Sequence, residues 1–221
     1  MHSSGQGPEG FRLVHEELER RGDRVLTPAF DIARTDQGAT FHANTIVEAL
    51  DASDAKPTDT VCVGHSASGL YLPIVAERWR PRLMVFLAAI IPRPGQSARE
   101  MLSADPSMFN PAWIGQDPND ERAALEFVFH DCPPDRLAWA LSTRILFYAK
   151  AALEERCPLE AWPLVPAAYI ACDDDRTITP AWQVRRARDW LGVDAVRLPG
   201  GHCPNVSRPV ALADALQRVA A

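Results

Sequence analysis

Residues 60–69 of this chain read Thr-Val-Cys-Val-Gly-His-Ser-Ala-Ser-Gly. The first four residues have the β-branched, apolar character of a buried strand, and apolar residues then recur at helical spacing as far as Trp79. A Gly-x-Ser-x-Gly pattern between a strand and a helix predicts a nucleophile elbow, a tight turn that presents its serine. We therefore expect strained backbone at Ser66, with Gly64 and Gly69 beside it because side chains would not fit there. A plain glycine-flanked turn is the alternative interpretation.

Length and composition indicate one α/β domain with a sizeable core. The chain has 221 residues, of which 47% are hydrophobic and 24% are charged. A net charge of -6 without a long basic run does not favour nucleic acid or an acidic membrane surface as a partner. The longest apolar stretch, residues 83–91, has the length of a strand, and no signal peptide pattern is visible. Five scattered cysteines without a CxxC pair favour reduced thiols and a cytoplasmic location.

Strand-like and helix-like segments alternate along most of the chain, which predicts a mainly parallel sheet with helices on both faces. The predicted strands are residues 24–28, 60–63, 83–89, 167–171 and 195–198. The predicted helices between them are residues 11–21, 40–51, 70–79, 180–191 and 206–219.

Residues 93–163 interrupt this alternation. They carry helical patterns at 120–129, 134–142 and 144–155 and no clear strand. We interpret them as a helical cap inserted into a core domain formed by residues 1–92 and 164–221. Aromatic residues of the cap would line an apolar substrate pocket, and our candidates are Phe109, Trp113, Phe129 and Trp139. A plain helical subdomain that buries its own aromatic side chains is an open alternative.

Beyond Ser66, the chain carries the other two residue types that an activated alcohol needs. A serine hydroxyl is a weak nucleophile unless a base takes its proton and a third group orients that base. An acidic cluster at 173–175 follows one predicted strand, and His202 follows the last one. Since the carboxyl ends of parallel strands share one edge of a sheet, these groups are expected to meet. The order Ser, Asp, His is that of α/β-hydrolases.

The histidine is easier to choose than the acid. His65 lies inside the elbow and points away from the serine, so we interpret it as structural. His202 follows two glycines that give the backbone freedom beside an exposed imidazole, and we assign it as the base. Three contiguous aspartates cannot all face one histidine, and the residues alone leave Asp173 and Asp175 as candidates.

The oxyanion of an acyl-transfer intermediate requires two backbone donors. One is expected to be the amide of Ala67, directly after the nucleophile. The other should come from the loop at residues 2–5, where we assign the amide of Ser4. The sequence shows no cluster with metal-ligand spacing and no glycine-rich phosphate loop, so we expect no metal and no cofactor.

Four segments together resemble the methylesterase and hydroxynitrile-lyase branch of the α/β-hydrolase superfamily, with bacterial esterase-like members nearest. These segments are Gly64–Gly69, Asp175–Pro180, Gly201–Pro204 and the cap stretch Phe129–Pro133. The resemblance implies a triad of Ser66, His202 and Asp175, since the family places its acid five residues before the proline of the second segment. It also implies small esters or related acyl compounds as substrates.

Three departures from the family pattern matter. Family members have a strand ahead of the loop at residues 2–5, so we expect a sheet without its N-terminal strands. Ser3 stands at a position where most family members have glycine. The lyases have a hydroxyl residue at this position, which makes Ser3 a candidate pocket residue. Cys203 stands where the lyases carry a lysine, which weakens the lyase interpretation.

These observations favour a serine hydrolase that cleaves a small or medium apolar carboxylic ester through an acyl-enzyme. The expected partner is a small-molecule ester, with no nucleic acid and no membrane, and a homodimer is left open. A second hypothesis keeps the fold but makes the protein a cofactor-free lyase, C–C hydrolase or cyclase of a biosynthetic pathway. A third is a non-catalytic protein that binds a ligand under the cap.

Overall fold

The computed structural model describes residues 1–2, 5–29, 36–117, 119–145 and 150–221. In this part of the chain, four parallel strands form one sheet in the order β1-β2-β3-β4. The strands are β1 (Val61–His65), β2 (Leu83–Leu87), β3 (Ala167–Cys172) and β4 (Val196–Leu198). The predicted parallel sheet is confirmed, as are four of the five predicted strands.

Helices connect these strands and cover the sheet. The α-helices in the described residues are α1 (Arg12–Arg20), α2 (Ala39–Asp51), α3 (Leu72–Trp79), α4 (Ala98–Ala104), α5 (Glu121–Ala123), α6 (Pro134–Ser142), α7 (Lys150–Glu154), α8 (Pro180–Arg186), α9 (Pro204–Ser207) and α10 (Pro209–Ala220). Across the residues that the structure describes, no helix has both the length and the apolar character needed to span a bilayer.

The centre of the sheet is buried on both faces. Met84 and Phe86 of β2 pack into the larger core cluster with α2, α3 and α8, whereas Val85 and Leu87 point to the opposite face with α1 and α10. Successive side chains of a strand point to opposite faces, so a strand covered on both sides reads as an unbroken apolar run. This arrangement explains the sequence of β2.

The prediction of a strand at residues 24–28 is wrong, because residues 23–29 have no regular secondary structure. A cavity of about 480 Å³ separates them from the outer edge of β1, so within the described part of the chain no neighbouring strand offers them hydrogen bonds. Met1 pairs along that edge, with its nitrogen donating to Val63 O at 2.8 Å and its carbonyl accepting from His65 N at 3.3 Å. Apolar side chains such as Leu212 line the cavity.

Three predicted helices are divided in the structure. The helix predicted at 180–191 consists of α8 followed by a π-helical turn at Ala187–Leu191. The closing helix breaks at Arg208, whose φ of -140° and ψ of 52° are not helical. Proline disfavours the helical conformation in the residue before it, and Pro209 begins α10. The helix predicted at 120–129 consists of α5 followed by a π-helical turn at Ala124–Val128.

Residues 93–163 lie between β2 and β3 in the sequence. Their described part contains α4, α5, α6 and α7 and adds no strand to the sheet. The helix predicted at 134–142 is confirmed. The helix predicted at 144–155 includes residues 146–149, which lie outside the described part of the chain. We refer to residues 93–163 as the insertion, and the division into core and cap stays a prediction.

Candidate active site

The turn after β1 holds its serine in a conformation that residues with side chains rarely adopt. Ser66 has a φ of 59°, and such a conformation costs about 1–3 kcal/mol. Its carbonyl accepts a hydrogen bond from Ile90 N at 3.1 Å, which fixes the turn. A Cβ on Gly64 would lie 3.0 Å from the Ser68 carbonyl oxygen, and one on Gly69 would collide with the carbonyl of Ile90. The predicted strain and the predicted need for both glycines are confirmed.

Three side chains from three separate loops form one chain of hydrogen bonds. His202 Nε2 lies 2.9 Å from Ser66 Oγ, and His202 Nδ1 lies 2.9 Å from Asp175 Oδ2. Asp175 and His202 are each only 5% exposed, whereas Ser66 is partly open to solvent. When the Nδ1 proton is donated to the carboxylate, Nε2 is available to accept the serine proton.

The prediction that the His202 imidazole is exposed is wrong, because His202 is buried. Residues that follow it, Cys203 and Val206, pack in one buried cluster with Phe129 and Ala140 of the insertion. The insertion therefore covers the loop that carries the histidine. Burial strengthens the electrostatic contact between this imidazole and its carboxylate because fewer water molecules screen it.

The structure separates the three contiguous aspartates. Asp173 forms an ion pair with Arg197, and Asp174 is exposed while its backbone N–H donates to Gly200 O at 2.9 Å. Only Asp175 is buried against His202. The loop thus places one carboxylate beside the imidazole and leaves the other two at the surface.

Two residues that sequence reasoning missed fix the Asp175 carboxylate. Its Oδ1 accepts hydrogen bonds from Thr177 N at 2.8 Å, Thr177 Oγ1 at 3.0 Å and Ile178 N at 3.1 Å. Its Oδ2 accepts from Gln183 Nε2 at 2.8 Å as well as from the imidazole. The Thr177 hydroxyl oxygen also lies 2.7 Å from His202 Nδ1.

The sequence signal for these two residues differs. Aspartate followed two residues later by threonine is typical of a local side-chain turn, so Thr177 could have been found from the pattern. Gln183 lies on α8 and also donates to Ile178 O at 2.8 Å while accepting from Cys172 N at 3.2 Å. No local pattern indicates a contact that depends on how α8 packs against β3.

His65 has the structural role that its position in the elbow predicts. It is fully buried, and its Nε2 lies 2.8 Å from the carbonyl oxygen of His202. Burial, followed by the charge of His202, lowers the pKa of His65 to about 3. The neutral ring donates from Nε2 and so holds the backbone of the residue that contacts Ser66.

The neutral state of His65 predicts a pH dependence of stability. In the unfolded chain this histidine takes up a proton below its ordinary pKa of 6.5, whereas in the folded chain it stays neutral down to about pH 3. Between these values the free energy of unfolding should fall by about 1.4 kcal/mol for each pH unit from this residue alone. We expect His65→Gln, whose amide can still donate to His202 O, to flatten this decline.

Urea unfolding at a series of pH values measures that slope. His15→Gln is the matched control because His15 lies on the surface of α1 beside Glu19, and it should keep the wild-type profile. Identical slopes for wild type and His65→Gln would contradict the prediction.

The predicted oxyanion donors lie partly outside the described residues. Ala67 is buried at the start of the 3₁₀ helix Ser66–Leu70, where first-turn amides have no intrahelical partner. Ser3 and Ser4 are not among the described residues. The chain on both sides of them is anchored: Ser68 Oγ donates to the carbonyl of His2, and Gly7 N donates to Thr143 O at 2.9 Å.

The four aromatic residues predicted to line a pocket fall into two groups. Phe109 forms a backbone bridge with Ile178 and Trp113 packs against Phe127, with ring centroids 5.5 Å apart. Phe129 and Trp139 instead belong to the cluster that packs the insertion onto residues 203–206. Arg12 stacks over the Trp139 ring at 5.0 Å. Their role toward substrate stays a prediction.

Comparison with known proteins agrees with this geometry. The model of the alpha/beta hydrolase family matches residues 1–215. The chain belongs to the alpha/beta hydrolase family. This membership confirms the superfamily indicated by the sequence motifs and makes the protein an enzyme of the hydrolase type.

Relatives of this alpha/beta hydrolase include proteins named hydrolase and esterase. A probable hydrolase, R7, from a Phoma species is 27% identical over 96% of this chain and 87% of its own length. A carbendazim hydrolyzing esterase from a Nocardioides species is 25% identical over 98% of this chain and 96% of its own length. The crystal structure of polyneuridine aldehyde esterase shares the fold, with a TM-score of 0.79 and 20% identity over 99% and 97% of the two chains.

Proposed function

We propose that this alpha/beta hydrolase cleaves small or medium-sized apolar carboxylic esters through an acyl-enzyme. One observation carries the proposal: the Ser66 hydroxyl, the His202 imidazole and the Asp175 carboxylate lie in one chain of hydrogen bonds. Both donor–acceptor distances in this chain are 2.9 Å, and the backbone of Ser66 is strained. This is the arrangement in which a serine hydroxyl becomes a nucleophile without a metal or cofactor.

In the first half of the reaction, Ser66 Oγ attacks the ester carbonyl carbon while its proton passes to His202 Nε2. The electron pair of the C=O bond moves to the oxygen, where the amides of Ala67 and Ser4 would stabilise the negative charge. Collapse of this intermediate breaks the bond to the alcohol oxygen, which takes the proton from Nε2. Asp175 keeps its hydrogen bond to Nδ1 and stabilises the imidazolium that forms between these steps.

In the second half of the reaction, water takes the place of Ser66 as the nucleophile. His202 Nε2 takes a proton from a water molecule as the water oxygen attacks the acyl carbonyl. The imidazole then returns a proton to Ser66 Oγ as the acid leaves. The substrate class follows from the apolar character of the insertion, whose aromatic residues would cover the acyl group as a cap. The esterase among the relatives supports ester cleavage over the lyase and cyclase alternatives.

Labelling with a fluorophosphonate, followed by a panel of p-nitrophenyl esters from acetate to octanoate, tests this function. We expect a single adduct on the peptide that contains Ser66, and turnover that is lost when the adduct forms. Because labelling requires a serine activated by its base, a folded protein that forms no adduct at Ser66 would refute the mechanism. A labelled protein that turns over none of the esters would instead favour other chemistry on the same residues.

A further inference from the structure

The loop that carries His202 is held by a residue of the insertion. Asp131 Oδ2 accepts a hydrogen bond from the backbone N–H of Gly201 at 2.9 Å. The same oxygen lies 3.8 Å from Arg208 Nε, and the Asp131 side chain is only 14% exposed. A hydrogen bond to a carboxylate is about twice as strong as one between neutral groups, so this contact is a firm one.

Both glycines before His202 are needed for this contact. A Cβ on Gly201 would lie 2.7 Å from Asp131 Oδ1 and 2.6 Å from His130 Cε1. A Cβ on Gly200, which has a φ of +118°, would lie 2.7 Å from Asp131 Oδ2. The glycines therefore allow the insertion to approach the loop closely, in addition to giving its backbone freedom.

The backbone of the histidine is consequently fixed from two directions. On one side Asp131 holds the N–H of the preceding residue, and on the other side His65 Nε2 lies 2.8 Å from the His202 carbonyl oxygen. The stretch that carries Asp131 does not move independently, because Phe129 is buried with Cys203 in one cluster. A shift of Asp131 would displace the imidazole relative to Ser66 Oγ.

We propose that Asp131 is a positioning residue for His202, so that the insertion sets the placement of the base as well as covering the site. This inference rests on the proposed function, in which His202 transfers the proton of Ser66. Asp131 touches neither the serine nor a substrate carbonyl in this scheme, and it acts only through the backbone at Gly201.

Kinetics of Asp131→Ala and Asp131→Asn, expressed per active site after titration with a fluorophosphonate, test the inference. A misplacement of about 1 Å at a catalytic group costs up to about 100-fold in rate, and we expect kcat of Asp131→Ala to fall about 10- to 100-fold. KM should change less than about threefold, because binding does not use the base. The labelling rate should fall together with kcat.

Asp131→Asn keeps an acceptor for the Gly201 N–H but loses the charge, so its kcat should recover to about three- to tenfold below wild type. The matched control is Asp135→Ala, which removes an exposed carboxylate from the first turn of α6 in the same insertion and should leave kcat unchanged. A role in stability alone would lower the melting temperature while kcat per active site stayed at the wild-type value.

Two outcomes overturn the inference. One is a kcat per active site within about twofold of wild type for Asp131→Ala. The other, should Asp131→Ala fail to fold, is a wild-type kcat for Asp131→Asn. Neither outcome affects the proposed function as long as Ser66→Ala is inactive. Full activity of Ser66→Ala would instead remove the proposed function, and this inference with it.

Discussion

Replacing Ser66 by alanine is expected to lower the turnover of p-nitrophenyl esters by a factor on the order of 10⁴ or more. The substitution removes the oxygen that lies 2.9 Å from His202 Nε2, and with it the covalent route. The residual rate would come from the Ala67 amide and from substrate binding, which do not need the hydroxyl. A steady-state assay with an active ester from the panel measures the loss.

The matched control for Ser66→Ala is the same substitution at a serine outside the site. Ser103→Ala changes an exposed serine on α4 whose hydroxyl donates to Arg99 O at 3.0 Å, and it should keep wild-type turnover. Circular dichroism should give both variants the spectrum of the parent. Ester hydrolysis by Ser66→Ala at the wild-type rate would show that another group is the nucleophile.

The second large effect is expected for Asp175→Asn, with kcat about 10³- to 10⁴-fold below wild type. The carboxylate accepts hydrogen bonds at both oxygens, from Thr177 and Ile178 at Oδ1 and from Gln183 and His202 at Oδ2. An asparagine has one acceptor oxygen and one NH₂ group, so it can satisfy only one of these two sets of donors.

The two backbone N–H groups at Oδ1 cannot reorient, so the asparagine oxygen should stay with them. Its NH₂ group then faces the donor of Gln183, which is itself fixed by hydrogen bonds to Ile178 O and Cys172 N. The NH₂ group also forces His202 Nδ1 to accept, which places the proton on Nε2 opposite Ser66. This is the wrong tautomer for a base, and the unpaired donors should also cost about 1–3 kcal/mol of stability.

Asp174→Asn is the control for this substitution because Asp174 is its exposed sequence neighbour; we expect it to behave as wild type. A double variant, Ser66→Ala with Asp175→Asn, should be no slower than Ser66→Ala alone, since residues that act as one unit are not additive. Wild-type kcat for Asp175→Asn would mean that the imidazole needs no acid to orient it.

The parts of the fold that follow from local sequence were predictable. The turn at Ser66 depends on a strand, two glycines and a helix that are contiguous in the chain, and β2 is recognisable because burial on both faces leaves it wholly apolar. The segment at residues 24–28 has a strand-like sequence but forms no strand, because a strand exists only where a neighbour supplies hydrogen bonds. That neighbour is not a property of the segment itself.

The residues of the candidate site also divide into those that local sequence predicts and those that depend on packing. The serine, the histidine and the acidic cluster were found because each follows a strand, and the carboxyl ends of parallel strands meet at one edge. The choice of Asp175 within the cluster came from the family resemblance. Gln183 and Asp131 were not found because their contacts depend on how a helix and an insertion pack onto those loops. The burial of His202 was missed for the same reason, since the residues that cover it come from elsewhere in the chain.

The close packing of residues 129–131 on the loop at 200–203 has a consequence for protein engineering. Exchange of cap segments between related enzymes is an attractive way to change substrate range, and it assumes that the segment is a separate module. Here the insertion shares a buried cluster with Cys203 and supplies the acceptor for Gly201. A transplanted segment would have to bring an acceptor of its own to that amide, so the insertion and the loop are best exchanged as one piece.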